Sequence, residues 1–310
     1  MKTLPPLIAL VGATAAGKTE FAVALAQRVG AEIISADSRL FYRGMDIGTA
    51  KPSPAERGGI PHHLIDTLAP DQPYSLAQFQ QDVYALVDAI CQRERLPLMV
   101  GGTGQYVRAV TEGWTIPAQA ADPRLRDMLE QWGAELGSEG LHTRLAILDP
   151  EAARQIEPRN LRRTVRALEV TLRTGQPFSA QSRGAAARVR PLLIGLARPR
   201  QELYARIDAR IEEMFRRGLL AEAEALLARG YSRELPALSA IGYAQAAGVL
   251  AGEYDLEEAK RLTRRKTREF VRRQANWFKP GDPAIHWLAP DAAGLAQAER
   301  LIEEFIARDG

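Results

Sequence analysis

The 310-residue sequence predicts an α/β protein built on a parallel sheet. Three observations carry that expectation. Short apolar runs of strand length alternate with helical stretches. The runs stop at glycine or a polar residue, as buried parallel strands do. A glycine-rich loop joins the first run to the first helix.

The first run, residues 7–11, is bounded by Pro6 and Gly12 and reads as a buried strand. A helix follows over about residues 17–29, with Phe21, Ala24, Leu25 and Ala26 on a broad face and Gly30 as its stop. Residues 32–36 read as a second strand ending at Asp37. A helix over roughly residues 76–93 precedes the apolar run 98–100, which stops at Gly101-Gly102. From about Asp122 the pattern changes: residues 123–173 are helical in period, rich in arginine and without a convincing strand. Residues 192–196 restore a strand. The expected organisation is a small all-helical insertion at 118–188, set into an α/β core of 1–117 and 189–310. From Gln201 onward the chain reads as mostly helical, with Leu203, Ile207, Ile211, Met214 and Phe215 at helical spacing. Gly184-Ala185-Ala186-Ala187 is a linker candidate.

Composition narrows the class. A hydrophobic fraction of 46% and a charged fraction of 25% exclude a disordered chain, a collagen and a mini-protein needing staples. Lysine plus arginine total 41 against 38 acidic residues, a net charge of only +3, so the distribution of charge matters more than its sum. The single cysteine, Cys91, forms no internal disulfide or cysteine zinc cluster and fits a reducing compartment. His62, His63, His142 and His286 show no metal-ligand spacing, which argues against a zinc enzyme. There is no signal-peptide pattern and no run of about 18 apolar residues, so a cytoplasmic protein with no membrane partner is expected.

Gly12-Ala13-Thr14-Ala15-Ala16-Gly17-Lys18-Thr19 matches G-x-x-x-x-G-K-[ST] between an expected strand and an expected helix, the context its chemistry requires. Backbone N–H groups would cradle phosphate oxygens, helped by the helix dipole. Lys18 would neutralise the outer phosphates and the Thr19 hydroxyl would ligate Mg²⁺. The alternative is a glycine-rich turn with no ligand. A P-loop implies phosphate, not ATP hydrolysis. No D-x-x-G switch or N/T-K-x-D signal is evident, so a GTPase is disfavoured and a small-molecule kinase stays open.

In an open α/β sheet, ligands bind at the carboxyl ends of the strands. If the first two strands are neighbours, Asp37 lies beside the phosphate loop, where it could be a general base, a metal-shell ligand or a helix cap. Gly101-Gly102-Thr103-Gly104 falls at the same sheet edge, as a functional turn or merely a tight one. His62-His63 beside Pro61 reads as a packed or turn-forming pair rather than a metal site.

Residues 260–279 carry nine basic side chains: Lys260, Arg261, Arg264, Arg265, Lys266, Arg268, Arg272, Arg273 and Lys279. Arg159, Arg162, Arg163 and Arg166 form a second cluster. Such density beside a phosphate site points to a polyanion, nucleic acid first, the alternative being solvated helix faces. Trp277 and Phe278 could stack on bases or anchor the helix.

Taken in order, these motifs resemble one family. They are residues 12–19, Asp37-Ser38 through Tyr42-Arg43-Gly44-Met45-Asp46-Ile47-Gly48-Thr49-Ala50-Lys51-Pro52, His62-His63-Leu64-Ile65-Asp66, and Gly101-Gly102-Thr103-Gly104. Arg166-Ala167-Leu168-Glu169-Val170, Ile241-Gly242-Tyr243 and Arg272-Arg273-Gln274 with Trp277-Phe278 complete the set. The chain resembles the bacterial tRNA dimethylallyltransferases, also called tRNA isopentenyltransferases. The resemblance implies a P-loop NTPase-like core and transfer of a dimethylallyl group from dimethylallyl diphosphate to N6 of the adenosine just 3′ of the tRNA anticodon. It implies Mg²⁺ as cofactor and residues 12–19 as the diphosphate site. Asp37 resembles the family's general base and Thr103 a residue that helps place it or the adenine. Arg210 resembles an arginine supporting the diphosphate, with Arg206 as its competitor. The tRNA anticodon stem-loop is the implied partner of Asp37, Ser38, Arg39, Leu40, Thr103, Arg162, Arg163, Arg166, Gly242, Tyr243, Arg272, Arg273 and Gln274. The family fold has a channel admitting the two substrates from opposite ends, and a monomer is expected.

The chain departs from the family pattern at Leu40, where glutamine is usual, and at Gln105, where leucine often follows Gly-Gly-Thr-Gly. A polar contact near the target base would then be lost, or supplied by Gln105. Two other readings remain. A small-molecule kinase would turn over ATP but leaves the arginine stripes unexplained. A non-catalytic RNA-binding protein leaves Asp37 and Thr103 without a role.

Overall fold

The computed structural model describes residues 4–116, 122–181 and 187–308. Six strands form one sheet: β1 Pro6–Gly12, β2 Ala31–Ser35, β3 His62–His63, β4 Leu96–Gly101, β5 Arg190–Leu196 and β6 Ile285–Leu288. All recorded pairings are parallel and the spatial order is β3-β2-β4-β1-β5-β6. The α/β class is therefore as expected. Two strands were not anticipated, β3 and β6. Both lie at the sheet's edges and are short, two and four residues, so neither offers a strand-length apolar run.

The strand order also changes the expected neighbourhood. β1 and β2 are not adjacent, because β4 pairs with both. The turn at the end of β4 thus lies between the phosphate loop and Asp37. Ile8 aligns with Leu98 on one side and Leu192 on the other.

Alternation along β1 divides the core into two layers. Ile8 and Leu10 join one layer and Leu7, Ala9 and Val11 the other, all fully buried. The first layer packs against α1 (Lys18–Val29), α8 (Arg200–Arg216), α9 (Leu219–Ala228), α10 (Tyr243–Leu250), α11 (Leu256–Trp277) and α12 (Ala292–Ala307). The second packs against α2 (Leu76–Gln92) and α3 (Gly104–Thr111). Truncating a leucine or isoleucine of β1 to alanine would cost about 2–5 kcal/mol in lost burial and cavity. Helix starts are specified locally: Ser75 and Gln78 form a reciprocal cap on α2, and Asp255 caps α11 through the Glu258 N–H.

The chain divides into two compact units, residues 1–111 with 187–310, and residues 112–186. The expected insertion boundary at 117/118 and residues 184–186 of the linker candidate lie outside the described residues. The second unit is helical, with α4 (Pro123–Leu148, broken at Gly137), α5 (Pro150–Gln155), α6 (Leu161–Thr174) and α7 (Phe178–Gln181). Leu129, Leu141, Leu145, Ile156, Val165 and Leu168 form its own core. Glu169 is fully buried there; its carboxylate accepts from Arg126, Arg166 and the Asp122 N–H. Burial would raise its pKa, but these donors hold it below the ordinary value. Among the described residues, no helix is long and apolar enough to cross a membrane.

Candidate active site

Three chain segments meet where β1, β4 and β2 end. Loop 12–19 follows β1 and runs into α1. Gly17, at the helix N-cap, sits at φ 98, a left-handed conformation that glycine adopts without steric cost, and Ala15 at φ 64. Left-handed residues within such a loop turn successive N–H groups toward one concave side. No side chain caps α1, so its first N–H groups and positive dipole end face that concavity. Not every loop amide serves it: Thr14 N–H donates to Gln274 Oε1 at 2.9 Å, and Ala16 N–H to Ala13 O at 3.1 Å.

Lys18 folds back over the loop, its Nζ donating to Gly12 O at 3.0 Å and Ala13 O at 2.8 Å. Burial lowers its pKa to about 8; the Asp37 carboxylate opposes that shift and Arg210 reinforces it. Arg210 on α8 is itself lowered by burial, again against the pull of Asp37, and its Nη2 donates to Thr49 O at 3.1 Å. Lys18, Arg210 and Asp37 thus lie within electrostatic reach of one another. Arg206, one turn earlier on α8, donates to Ala15 O at 3.0 Å, and Arg198 to Ala16 O at 2.9 Å. Arg210 is therefore the arginine coupled to Lys18 and Asp37, while Arg206 holds the loop backbone.

Asp37 is not a helix cap. Its Oδ1 accepts from the Arg39 N–H at 3.0 Å and the residues that follow form turns. The same turn is tied on two sides. Ser38 N–H approaches Thr103 Oγ1 at 3.5 Å, and Arg39 donates to Pro236 O. Leu40 is half-buried, and Gln105 is exposed on the first turn of α3. Thr103 O accepts from the Tyr106 and Val107 N–H groups, so Thr103 opens α3.

Several residues expected to contact RNA make hydrogen bonds within the protein. Gln274 is buried, 4% exposed, and its amide bridges two loops: Oε1 accepts from Thr14 N–H and Nε2 donates to Gly102 O at 3.0 Å. Tyr243 is fully buried, its hydroxyl donating to Glu222 and accepting from Gly48 N–H at 3.2 Å. Gly242 is buried and its N–H donates to Gln245 Oε1 at 2.8 Å. These residues shape the site from the interior. Arg166 is committed to Glu169 within the helical unit. Arg162 and Arg163 are exposed on the first turn of α6, and Arg272 and Arg273 near the end of α11.

The basic stripe on α11 divides along its length. Lys260 pairs with Glu212 at 3.0 Å, Arg264 with Glu212, and Arg268 with Asp208 at 2.6 Å, all acids of α8. Arg265, Arg272, Arg273 and Lys279 remain exposed. Phe278 anchors the end of this helix in the core, and Trp277 packs against Gly104. His63 contacts Glu32 at 2.7 Å and His62 contacts Ile60 O at 2.8 Å, as a packed pair does.

Sequence reading missed Arg198 and Glu222. Arg198 carries a weak signal, following β5 directly at the sheet's carboxyl edge. Glu222 carries none, since its partners, the backbone N–H groups of residues 46–48 and the Tyr243 hydroxyl, are distant in sequence.

Comparison with known proteins identifies the family. The family described as IPP transferase matches residues 40–281, and that described as isopentenyl transferase matches residues 5–67. A tRNA dimethylallyltransferase of Herpetosiphon aurantiacus is 47% identical over 298 residues, covering 96% of this chain and 95% of that protein. One from Chloroflexus aurantiacus is 54% identical over 273 residues, 88% and 92% of the two chains. The full-length tRNA isopentenylpyrophosphate transferase of Bacillus halodurans superposes with a TM-score of 0.70 at 40% identity, over 98% of this chain and 96% of that one. A eukaryotic dimethylallyltransferase acting on tRNA, at 24% identity and a TM-score of 0.83, shares the fold over 98% of this chain and 80% of its own. A phosphate loop, a strand-end carboxylate and matches spanning nearly the whole chain converge, and the chain belongs to the IPP transferase family.

Proposed function

We propose that this protein is a tRNA dimethylallyltransferase, moving the dimethylallyl group of dimethylallyl diphosphate to N6 of the adenosine 3′-adjacent to the anticodon. The observation that supports it most is the placing of Asp37 within electrostatic reach of Lys18 and Arg210 beside loop 12–19. Two cations and a set of backbone amides suit a diphosphate leaving group; a carboxylate facing them suits proton removal from an amine.

In the reaction the allylic C1–O bond breaks and C1–N6 forms. The electron pair of the broken bond stays on diphosphate, where the loop amides, Lys18 and Arg210 stabilise the growing negative charge. The Asp37 carboxylate takes the N6 proton as attack proceeds. Thr103 and Ser38 hold the Asp37 turn, and the target adenine leaves its stack to reach them. Arg162, Arg163, Arg272 and Arg273 contact the RNA backbone.

The residues present fit Mg²⁺ in one mode. The Thr19 hydroxyl is exposed on the first turn of α1, an oxygen donor of the kind Mg²⁺ takes beside substrate phosphates and water. Among the described residues no cluster of three or more His, Cys, Asp or Glu stands ready to cage an ion. When bound, Mg²⁺ supplies charge neutralisation on the diphosphate.

The test is a transfer assay with Mg²⁺, labelled dimethylallyl diphosphate and unmodified tRNA carrying adenosine 3′ of the anticodon, with and without ATP. Label is expected in tRNA without ATP. No transfer, or transfer strictly dependent on ATP, would overturn the reading.

A further inference from the structure

We infer that Glu222 is a positioning residue for the diphosphate site, acting through loop 44–51 on Arg210. The inference rests on the reading in which Arg210 supports the diphosphate.

Glu222 lies on α9 and its carboxylate is surrounded by backbone donors. Oε2 accepts from Asp46 N–H at 3.0 Å, Ile47 N–H reaches both oxygens at 3.0 Å, and Gly48 N–H reaches Oε1 at 3.3 Å. The Tyr243 hydroxyl donates to the same Oε1. The Tyr243 ring lies so close to Gly48 that a Cβ there would stand 2.3 Å from a ring carbon, so residue 48 has to be glycine. Burial, reinforced by the Glu222 carboxylate, pushes the Tyr243 phenol far above its ordinary pKa and keeps it a donor. On its other side the loop is pinned by buried Lys51, which donates to Tyr42 O at 2.8 Å, Asp46 Oδ1 at 2.6 Å, and Asp66. The next carbonyl along, Thr49 O, is the acceptor for Arg210.

The chain of contacts therefore runs from a carboxylate, through three consecutive amides, to the one carbonyl that aims the guanidinium. Hydrogen bonds to a charged group are about twice as strong as neutral ones, so the carboxylate fixes this loop more firmly than an amide could. A displacement of about 1 Å in a site that must meet a transition state costs on the order of 10²-fold in rate. Glu222→Gln keeps the shape but sets an NH₂ donor against the loop's N–H donors, and so releases the loop.

The test is a double-mutant cycle of Glu222→Gln with Arg210→Ala, read in inorganic diphosphate affinity by calorimetry and in kcat and KM for dimethylallyl diphosphate. Glu222→Gln alone is expected to weaken diphosphate binding and lower kcat by roughly 10–100-fold, with tRNA affinity within about twofold of wild type. In the Arg210→Ala background the same change is expected to cost under about threefold. An equal loss in both backgrounds, or a matching loss of tRNA affinity, would overturn the inference. Tyr243→Phe removes one hydroxyl from the cluster and repeats the cycle if Glu222→Gln does not fold; a several-fold loss that vanishes without Arg210 is expected, and a loss that persists overturns it. Diphosphate binding needs no prenyl transfer, so failure of the transfer assay and failure of this cycle are separate results.

Discussion

Two groups of arginines in this protein differ in what they are bonded to. Around the phosphate loop, Arg198, Arg206 and Arg210 each donate to a backbone carbonyl, and Arg210 is buried deeply enough to lower its pKa. On α6 and the end of α11, Arg162, Arg163, Arg272 and Arg273 are exposed. A guanidinium held by a carbonyl is aimed before the substrate arrives and loses little freedom when it binds. An exposed one contributes mainly a field, which salt screens. The α11 stripe repeats the contrast within one helix: Lys260, Arg264 and Arg268 pair with Glu212 and Asp208 of α8, whereas Arg272 and Arg273 near its end are exposed. Counting basic residues therefore overstates the charge left unpaired on this helix.

The division between interior and exterior makes sharp predictions. The largest effect belongs to Asp37→Ala, expected to lower turnover by about 10²–10⁴ while tRNA binding persists. An equal loss of tRNA affinity would show that the interior group is not chemically separate. Next, Arg210→Ala is expected to cost about 10²–10³ in kcat, the worth of one anion-stabilising donor, and Arg206→Ala clearly less. The reverse order would exchange their roles.

Lys18 gives a third test, through pH. With its pKa at about 8 in the free protein, Lys18 loses its charge as pH rises through that value. Bound diphosphate favours the protonated form. Diphosphate affinity is therefore expected to fall by up to about tenfold per unit above pH 8, with one proton taken up on binding. Calorimetry in buffers of different ionisation enthalpy measures that uptake, and a flat profile would mean Lys18 stays charged. The smallest effect lies at the exterior. Replacing Arg272 and Arg273 together with alanine is expected to reduce the slope of log affinity against log salt by about 1.4–1.8, leaving turnover at saturating tRNA unchanged. Arg264→Ala, already paired with Glu212, should not move that slope.

Much of this was legible in the sequence, for physical reasons. β1, β4 and β5 are apolar because both faces of a parallel sheet are covered, and loop 12–19 declares itself because its residues are dictated by phosphate chemistry. β6 was not legible because an edge strand reading Ile-His-Trp-Leu has no long apolar run. The strand order was not legible either, since no local feature says that β4 enters between β1 and β2. Arg206 and Arg210 are one helical turn apart, and what separates their roles, burial beside Asp37 and different carbonyl acceptors, is set by the fold. Tyr243 and Gln274 stand within motifs suggestive of RNA contact, yet both face inward: motif membership marks importance without saying which side of the helix is used.

The Gln274 bridge has a consequence for how the protein comes into being. The phosphate loop is complete as sequence once residue 19 has been made, yet one of its amides is held by a side chain 260 residues later. β1 also lacks its β5 neighbour until residue 196. A chain emerging from the ribosome thus carries the phosphate motif through most of its synthesis without the finished cradle. The bond that holds the Thr14 amide therefore forms only after α11 has been made, and the loop takes its final shape among the last parts of the fold.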